Sequence, residues 1–414
     1  MSKRSAARRK KDHREKTVRQ GVAGLRQPGA TRTAVLLGAG ASKPFDYPLT
    51  RDLLPQIVDW LNHKDFLRFD DESEAIGRRR RQLLREYLMQ LLPGKRHRGT
   101  SLPLVTSLMS LLDYSLATGQ SLLPRRTFNE TREARLLVER GILEAIADHE
   151  DFTATGETNL ERFCQVLTEL KQTTPKQPLT VLTTNYDMSA DIAAFKCAGV
   201  TQDADGYWFE EEVASKIDFG FRWHDPDAER QRLFDRPSNP EVTLLKLHGS
   251  TNWLRCPLCD NTYLNPWGPI WHQAFKGRNS YKNQCHCSPT RLQTQIISPS
   301  YVREMREPNL HAIWKCALDA LRAADRWLII GYSFPDEDLG VRALFTRAYA
   351  SRDDRPRIVV VQQSADSIDR YHAFFDSHHL TFCTGGFEAF LDAWRTVKTR
   401  SDRPTRSNGR RRRR

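Results

Sequence analysis

Two spacings of apolar residues alternate along this chain. Short runs in which nearly every residue is apolar occur in "TAVLLGAGAS" (33–42), "LTVLTTNYD" (179–187), "EVTLLKLHG" (241–249), "RWLIIGYSF" (326–334) and "RIVVVQQS" (357–364). Each reads as a buried strand running into a polar or glycine-rich loop. Between the first two, from 52 to about 170, the apolar positions recur every three or four residues, as in "DLLPQIVDWL", "RQLLREYLMQLL", "LPLVTSLMSLLDYSL", "EARLLVERGILEAI" and "TNLERFCQVLTELK". That spacing predicts amphipathic helices. Further helices are expected at "AIWKCALDALRAA" and "DLGVRALFTRAYA", then a closing helix, strand and helix ending in "CTGGFEAFLDAW"; "YWFEEEVASKIDFGFRW" (207–223) reads as a hairpin. All-apolar strands alternating with helices imply a parallel sheet covered on both faces. There are no internal repeats and no linker within 33–395, so one core with insertions is expected.

The 414 residues are enough for a large core. With 39% hydrophobic residues and a mean hydropathy of −0.61, the chain reads as soluble. No apolar run approaches the roughly 18 residues of a membrane span. The N-terminus "MSKRSAARRKKDHREK" has no apolar segment after it, so it is not a secretory signal. A cytoplasmic protein is expected, although an Arg-rich, acid-poor start also matches the composition of an organellar transit peptide. The net charge of +13 is uneven: residues 1–32 carry +9, residues 396–414 carry +8, and the body between them carries −4. The basic character therefore belongs to the two ends, read as solvated, disordered tails that can also attract nucleic acid non-specifically. Eight cysteines are too few for a disulfide scaffold.

In a parallel sheet, ligands bind beyond the carboxyl ends of the strands. Four strands here end in "GAGAS", "TTNYD", "LHGS" and "GYSFPDED", which would gather at one edge. Gly38, Ala39, Gly40, Ala41 and Ser42 form a loop whose backbone can approach a phosphate and offer N–H donors. Lys43 and Pro44 depart from the full G-x-G-x-x-G pattern and are expected to delay the following helix. Asn185 and Asp187 are either loop formers bonding their own backbone, or an amide orienting a ribose or a water and a carboxylate fixing the loop or a ribose hydroxyl. His248, alone, is a satisfied core histidine; at this edge and before Gly249 it is a candidate general base. Gly331 and Ser333 complete the set.

Cys256, Cys259, Cys285 and Cys287 form C-x2-C, a gap of 25 residues, then C-x-C. Four thiolates can close a tetrahedral zinc with no open position, so the metal is structural. His286 and His272 lie where either could replace one thiolate. The fold expected is thus α/β: a Rossmann-like parallel sheet at 33–395, with a large helical insertion at 52–170 and a small zinc-binding module at 251–295.

These motifs, in this order, resemble the sirtuin superfamily: a G-A-G-x-S loop, T-x-N-x-D, H-G, a four-cysteine zinc ribbon and G-x-S, over about 33–395. The resemblance implies that Asn185 and His248 are catalytic and that Gly38–Ser42, Asp187, Gly331 and Ser333 bind NAD+. It also separates His248 from the zinc ribbon. "YPLTRDL" keeps Pro48 and Arg51 of the family's P-D-F-R stretch, and "IISPSYVREM" replaces the F-G-E segment that pairs with an acyl-lysine peptide. These departures are similar to the sirtuin-like branch of bacterial anti-phage proteins, which cleave NAD without a peptide. The resemblance therefore implies an NAD glycohydrolase acting in abortive infection, with NAD+ as substrate. It further implies a sensor partner such as an ATPase or an argonaute-type protein; the helical insertion is read as a lid and packing layer or, alternatively, as the surface of a homo-oligomer. The alternatives are an NAD-dependent protein-lysine deacylase, and a non-catalytic nucleic-acid or assembly module with an NAD pocket.

Overall fold

The central strands are almost wholly apolar because no face of them meets water: Thr33–Leu37, Val242–Lys246 and Arg326–Ile330 are buried at every position. The computed structural model describes residues 15–26, 31–69, 72–93, 101–149, 158–174, 176–227, 232–276, 284–297, 300 and 307–397. It starts with helix α1 (15–25), strand β1 (Thr33–Leu37) and a single turn, α2 (Ala39–Ser42). Then follow α3 (Thr50–Trp60), α4 (Glu74–Leu91), α5 (Val105–Thr118), α6 (Phe128–Ala147) and α7 (Asn159–Gln172). Next come β2 (Leu179–Thr183), α8 (Ser189–Cys197), α9 (Glu210–Lys216), β3 (Ile217–Asp218), β4 (Trp223–His224), β5 (Leu233–Phe234), β6 (Val242–Lys246), β7 (Gly249–Arg255) and β8 (Thr262–Leu264). After β9 (Gln284–Cys285), β10 (Ser288–Arg291) and β11 (Gln293–Ile296), the chain closes with α10 (Pro308–Ala323), β12 (Arg326–Ile330), α11 (Leu339–Ala350), β13 (Arg357–Gln362), α12 (Ile368–His372), β14 (Leu380–Thr384) and α13 (Gly386–Thr396).

Seven strands make one parallel sheet in the order β14-β13-β12-β1-β2-β6-β3. The chain runs from β1 to β2 and out to the edge strand β3, returns to insert β6 between β2 and β3, then crosses back to β12 on the other side of β1. The order reverses between β1 and β12, which is where open α/β sheets place their ligands. The register is level at this edge: Ile330 pairs with Leu37, Leu37 with Thr183, and Thr183 with Lys246. The four loops that follow therefore emerge side by side. This is the Rossmann-like α/β fold expected from the sequence.

The described residues form three apolar cores. The largest surrounds the sheet and takes in α7, α8, α10, α11 and α13. The second joins α3 to α6 with Tyr47 and Tyr186. The third is small, built from Leu254, Cys256, Tyr263, Ile270, Cys285 and Leu292 beneath a five-stranded sheet ordered β11-β7-β8-β4-β5. No helix among the described residues is long and apolar enough to cross a membrane.

Four expectations need correction. The stretch at 207–223 is not a hairpin. Glu210–Lys216 is a helix, with three glutamates in its first turn and Lys216 in its last, matching the helix dipole. Gly220, at φ 86°, then turns the chain from the edge of the first sheet into the second. The basic segment 1–32 is not uniformly a tail, because Val18, Val22 and Leu25 of α1 are buried in the main core; 1–14 and 398–414 lie outside the described residues. The helix after the glycine loop is not delayed: α2 begins at Ala39, and Pro44 converts its continuation into a 3-10 turn. Finally, 52–170 is not one body, since α7 joins the sheet's core through Phe163, Val166, Leu167 and Leu170.

Candidate active site

The loops after β1, β2, β6 and β12 enclose a cleft. Ala39, Ser42, Asn185, Asp187, His248, Gly331 and Ser333 line it, and Tyr47, Leu53, Thr106 and Ile146 of the helical layer contribute the facing wall. Gly38, Gly40 and Ala41 are not among its lining residues.

The glycines are explained by close packing. A Cβ on Gly38 would lie 2.6 Å from the Tyr332 Cα, and one on Gly40 would lie 2.9 Å from the Gly331 Cα. Gly331 itself has φ 65°. The two loops are thus pressed backbone to backbone. The expected N–H donors are largely committed: Gly38 donates to the Ile330 carbonyl at 2.9 Å, Gly40 to Gly331 at 2.9 Å and Ala41 to Gly38 at 2.8 Å.

Behind this loop lies a buried polar network. The Asn185 amide Nδ2 donates to the Gly38 carbonyl (2.9 Å) and to Ser42 Oγ (2.8 Å). Ser42 Oγ in turn donates to Asp187 Oδ2 at 2.8 Å. Asp187 Oδ1 accepts from the Ser189 backbone N–H at 2.9 Å and from the Ser189 hydroxyl. Of the two readings of Asp187, the carboxylate that fixes the loop is the one its contacts describe. One level deeper, the fully buried Lys246 ammonium donates to the Asp187 carbonyl (2.7 Å) and to Asp191 (2.6 Å).

His248 sits in the step between β6 and β7. Its carbonyl accepts from Ile297 N–H at 2.7 Å, and its ring lies 6.5 Å from that of Tyr186. Gly249 is required here: at φ 78°, a Cβ would fall 1.9 Å from the Gln295 carbonyl oxygen. The imidazole Nε2 is 3.6 Å from Asp338 Oδ1, with both side chains at least nine-tenths buried. Asp338 also accepts from the Tyr332 hydroxyl (2.9 Å) and caps α11 through the Val341 N–H. Sequence reasoning missed Asp338, Tyr332 and Lys246. The signals for two of them were present: an Asp ahead of the helical "LGVRALF" is an N-cap pattern, and a lone lysine in the strand "VTLLK" is a buried charge in need of a partner.

The cysteines stand apart from this cleft, at the far end of β7. The four sulfurs all lie within 4.8 Å of one another. The pairs Cys256–Cys287 and Cys259–Cys285 are 3.7 and 3.5 Å apart, close to the roughly 3.8 Å edge of a tetrahedron with Zn–S bonds of about 2.3 Å. Leu258 and Cys287 N–H groups and the Tyr263 hydroxyl donate to the sulfurs of Cys256 and Cys285, as thiolate ligands require. His286 bonds Tyr263 and His272 bonds Gln273 instead, so the donor set is four cysteines. Those residues fit zinc. A closed thiolate cage supplies stability and no reactive position.

A parallel sheet with a cleft at its point of reversal, and a separate cluster of four cysteines, defines a Rossmann-like α/β protein with a small metal-site module. Residues 179–383 match the model of the SIR2-like domain, a stretch that contains Asn185, His248, the four cysteines and Gly331. The chain therefore carries a SIR2-like domain over 179–383, just under half of its length. No curated protein matches the chain in sequence. Among solved structures, "Structural Basis for the Mechanism and Regulation of Sir2 Enzymes" aligns at 13% identity over 92% of this chain and 98% of its own (TM-score 0.42). A Sir2 homolog–NAD complex aligns at 11% over 91% and 92% (TM-score 0.41), and a Sir2–p53 peptide–NAD+ structure at 13% over 88% and 91% (TM-score 0.38). The segment aligned by motif with the peptide-pairing strand, 296–305, lies outside the described residues except Ile296, Ile297 and Ser300.

Proposed function

We propose that this chain hydrolyses NAD+ to nicotinamide and ADP-ribose. The observation that carries the reading is the convergence of Asn185, His248 and Ser333 in one cleft at the reversal point of the sheet. NAD+ lies across the strand ends, its pyrophosphate beside Ala39 and Ser42 and a ribose beside Ser333. The bond between the nicotinamide nitrogen and ribose C1′ breaks with its electron pair going to the ring. The cationic ring thus leaves neutral and needs no general acid. Water attacks the oxocarbenium-like C1′ and its proton passes to His248. The Asn185 amide N–H groups brace the glycine loop, so its carbonyl oxygen is the part that orients the water or a ribose hydroxyl. Consumption of NAD+ as substrate fits an NAD-depleting anti-phage effector, a reading that rests on the motif resemblance.

The test is product analysis of the full chain with NAD+, with and without an acetyl-lysine peptide. Free ADP-ribose and nicotinamide without peptide, lost in Asn185→Ala and His248→Ala, is expected. Turnover only with peptide overturns the reading in favour of a deacylase.

A further inference from the structure

We propose that Asp338 is a positioning residue for His248, its carboxylate orienting the imidazole and stabilising the imidazolium formed when His248 takes the proton of the attacking water. This rests on the reading of His248 as the base. Asp338 comes from a different strand-end loop than His248, yet its Oδ1 lies 3.6 Å from Nε2. That is longer than a hydrogen bond, as catalytic pairs often are before substrate closes the site. Three features aim the carboxylate. The Tyr332 hydroxyl holds Oδ2 at 2.9 Å, and Oδ1, which also accepts from the Val341 N–H at 3.5 Å, is the oxygen on the side of the ring. The Val341 N–H fixes the side chain as the cap of α11. The N-terminus of that 12-residue helix favours the ionised carboxylate.

The other charged and titratable groups around the ring have partners or lie farther out. The Asp187 carboxylate is taken by Ser42 and Ser189. Lys246 points to Asp191, Tyr186 has its ring at 6.5 Å and its hydroxyl on the Ile297 carbonyl, and Tyr47 and Glu337 line the cleft wall. With Nε2–H directed at Asp338, the neutral ring carries its lone pair on Nδ1 to receive the proton. Asp338 keeps its negative charge throughout and accepts no proton itself.

The test is Asp338→Asn, with Tyr332→Phe as a milder companion. Asn caps a helix about as well as Asp, so the fold should persist. NAD+ turnover is measured against pH, and the His248 ring is titrated by imidazole NMR, assigned by its absence in His248→Gln. In Asp338→Asn, kcat should fall about 10- to 100-fold with KM within about threefold. The acid limb of kcat and the His248 midpoint should both move to lower pH, because a neighbouring carboxylate favours the charged ring. Tyr332→Phe should move both in the same direction by less. A lower plateau with an unmoved limb and an unmoved His248 midpoint overturns the proposal. If the unmodified protein does not hydrolyse NAD+, the hydrolase reading falls, and the NMR titration alone decides Asp338.

Discussion

Lys246 is the sharpest test of how the site is held. Its ammonium and the Asp191 carboxylate are both fully buried. The ammonium bonds Asp191 Oδ2 and the Asp187 carbonyl, while Asp191 Oδ1 has no hydrogen-bond partner. Burial pushes the Asp191 carboxyl up from its usual range and the Lys246 charge pulls it back. Lys246→Met keeps an unbranched apolar stem one atom shorter and removes the charge, stranding a buried carboxylate and a buried carbonyl. Removing one partner of such a pair costs about 3–5 kcal/mol. At about 2.1 cal/mol/K of unfolding entropy per residue, that is a drop of about 3–6 °C in Tm for a chain of this length.

The pH dependence has a definite sign. Without Lys246 the folded-state pKa of Asp191 lies further above its unfolded value. The carboxyl is then tolerated in its protonated form, and the deficit grows as pH rises through the folded pKa. Calorimetric melts at pH 5 and pH 8 should show the larger loss at pH 8. The double variant Lys246→Met, Asp191→Leu should recover most of the loss, because a buried pair replaced by apolar side chains is often neutral or stabilising. A single variant melting within about 1 °C of the parent, a deficit that shrinks with rising pH, or a double variant worse than the single would refute the reasoning.

Gly331→Ala should disrupt the cleft itself: its Cβ would fall 2.1 Å from the Ala41 nitrogen at φ 65°. About 2 kcal/mol or more should be lost in denaturant melts, from left-handed strain plus overlap, together with NAD+ binding measured by calorimetry. Metal analysis should find one zinc per chain. Cys285→Ser, or exposure to a strong chelator, should remove it and lower Tm, whereas Cys316→Ser, outside the cage, should leave the zinc in place.

Much of the fold was legible because the sheet is covered on both faces, so its strands read as unbroken apolar runs and could be counted. The site loops were legible for a related reason. Each directly follows one of those runs, and the level register of Ile330, Leu37, Thr183 and Lys246 brings them together. What failed was local. The alternation of apolar residues through "KIDFGFRW" imitates a hairpin, although Ile217–Asp218 and Trp223–His224 belong to different sheets. Val18, Val22 and Leu25 carry a helical spacing of four and three, but the surrounding charge hid it. Gly38 and Gly40 were read as letting a phosphate approach, and the sequence could not show that packing against the Gly331 loop requires glycine there as well.

The loop 184–188 shows why the polar residues of this site divide into two kinds. Its Tyr186 belongs to the core of the helical layer, and the Tyr186 hydroxyl bonds the Ile297 carbonyl at 2.6 Å. The Tyr186 carbonyl accepts from Thr251 N–H (3.0 Å), Thr251 Oγ1 (3.1 Å) and Ser250 Oγ (3.2 Å), and the next carbonyl accepts from Lys246. Asn185, the residue just before Tyr186, is thus held from the sheet, from the strand after His248 and from the helices at once. Ser42, Asp187, Ser189 and the Asn185 N–H groups are spent on each other and hold the loop's shape. His248, Ser333 and Asn185 line the cleft, and in the proposed reading His248, Ser333 and the Asn185 carbonyl meet the ligand. Such a division gives a site that is built before the substrate arrives, which is what stabilising a short-lived cationic sugar demands.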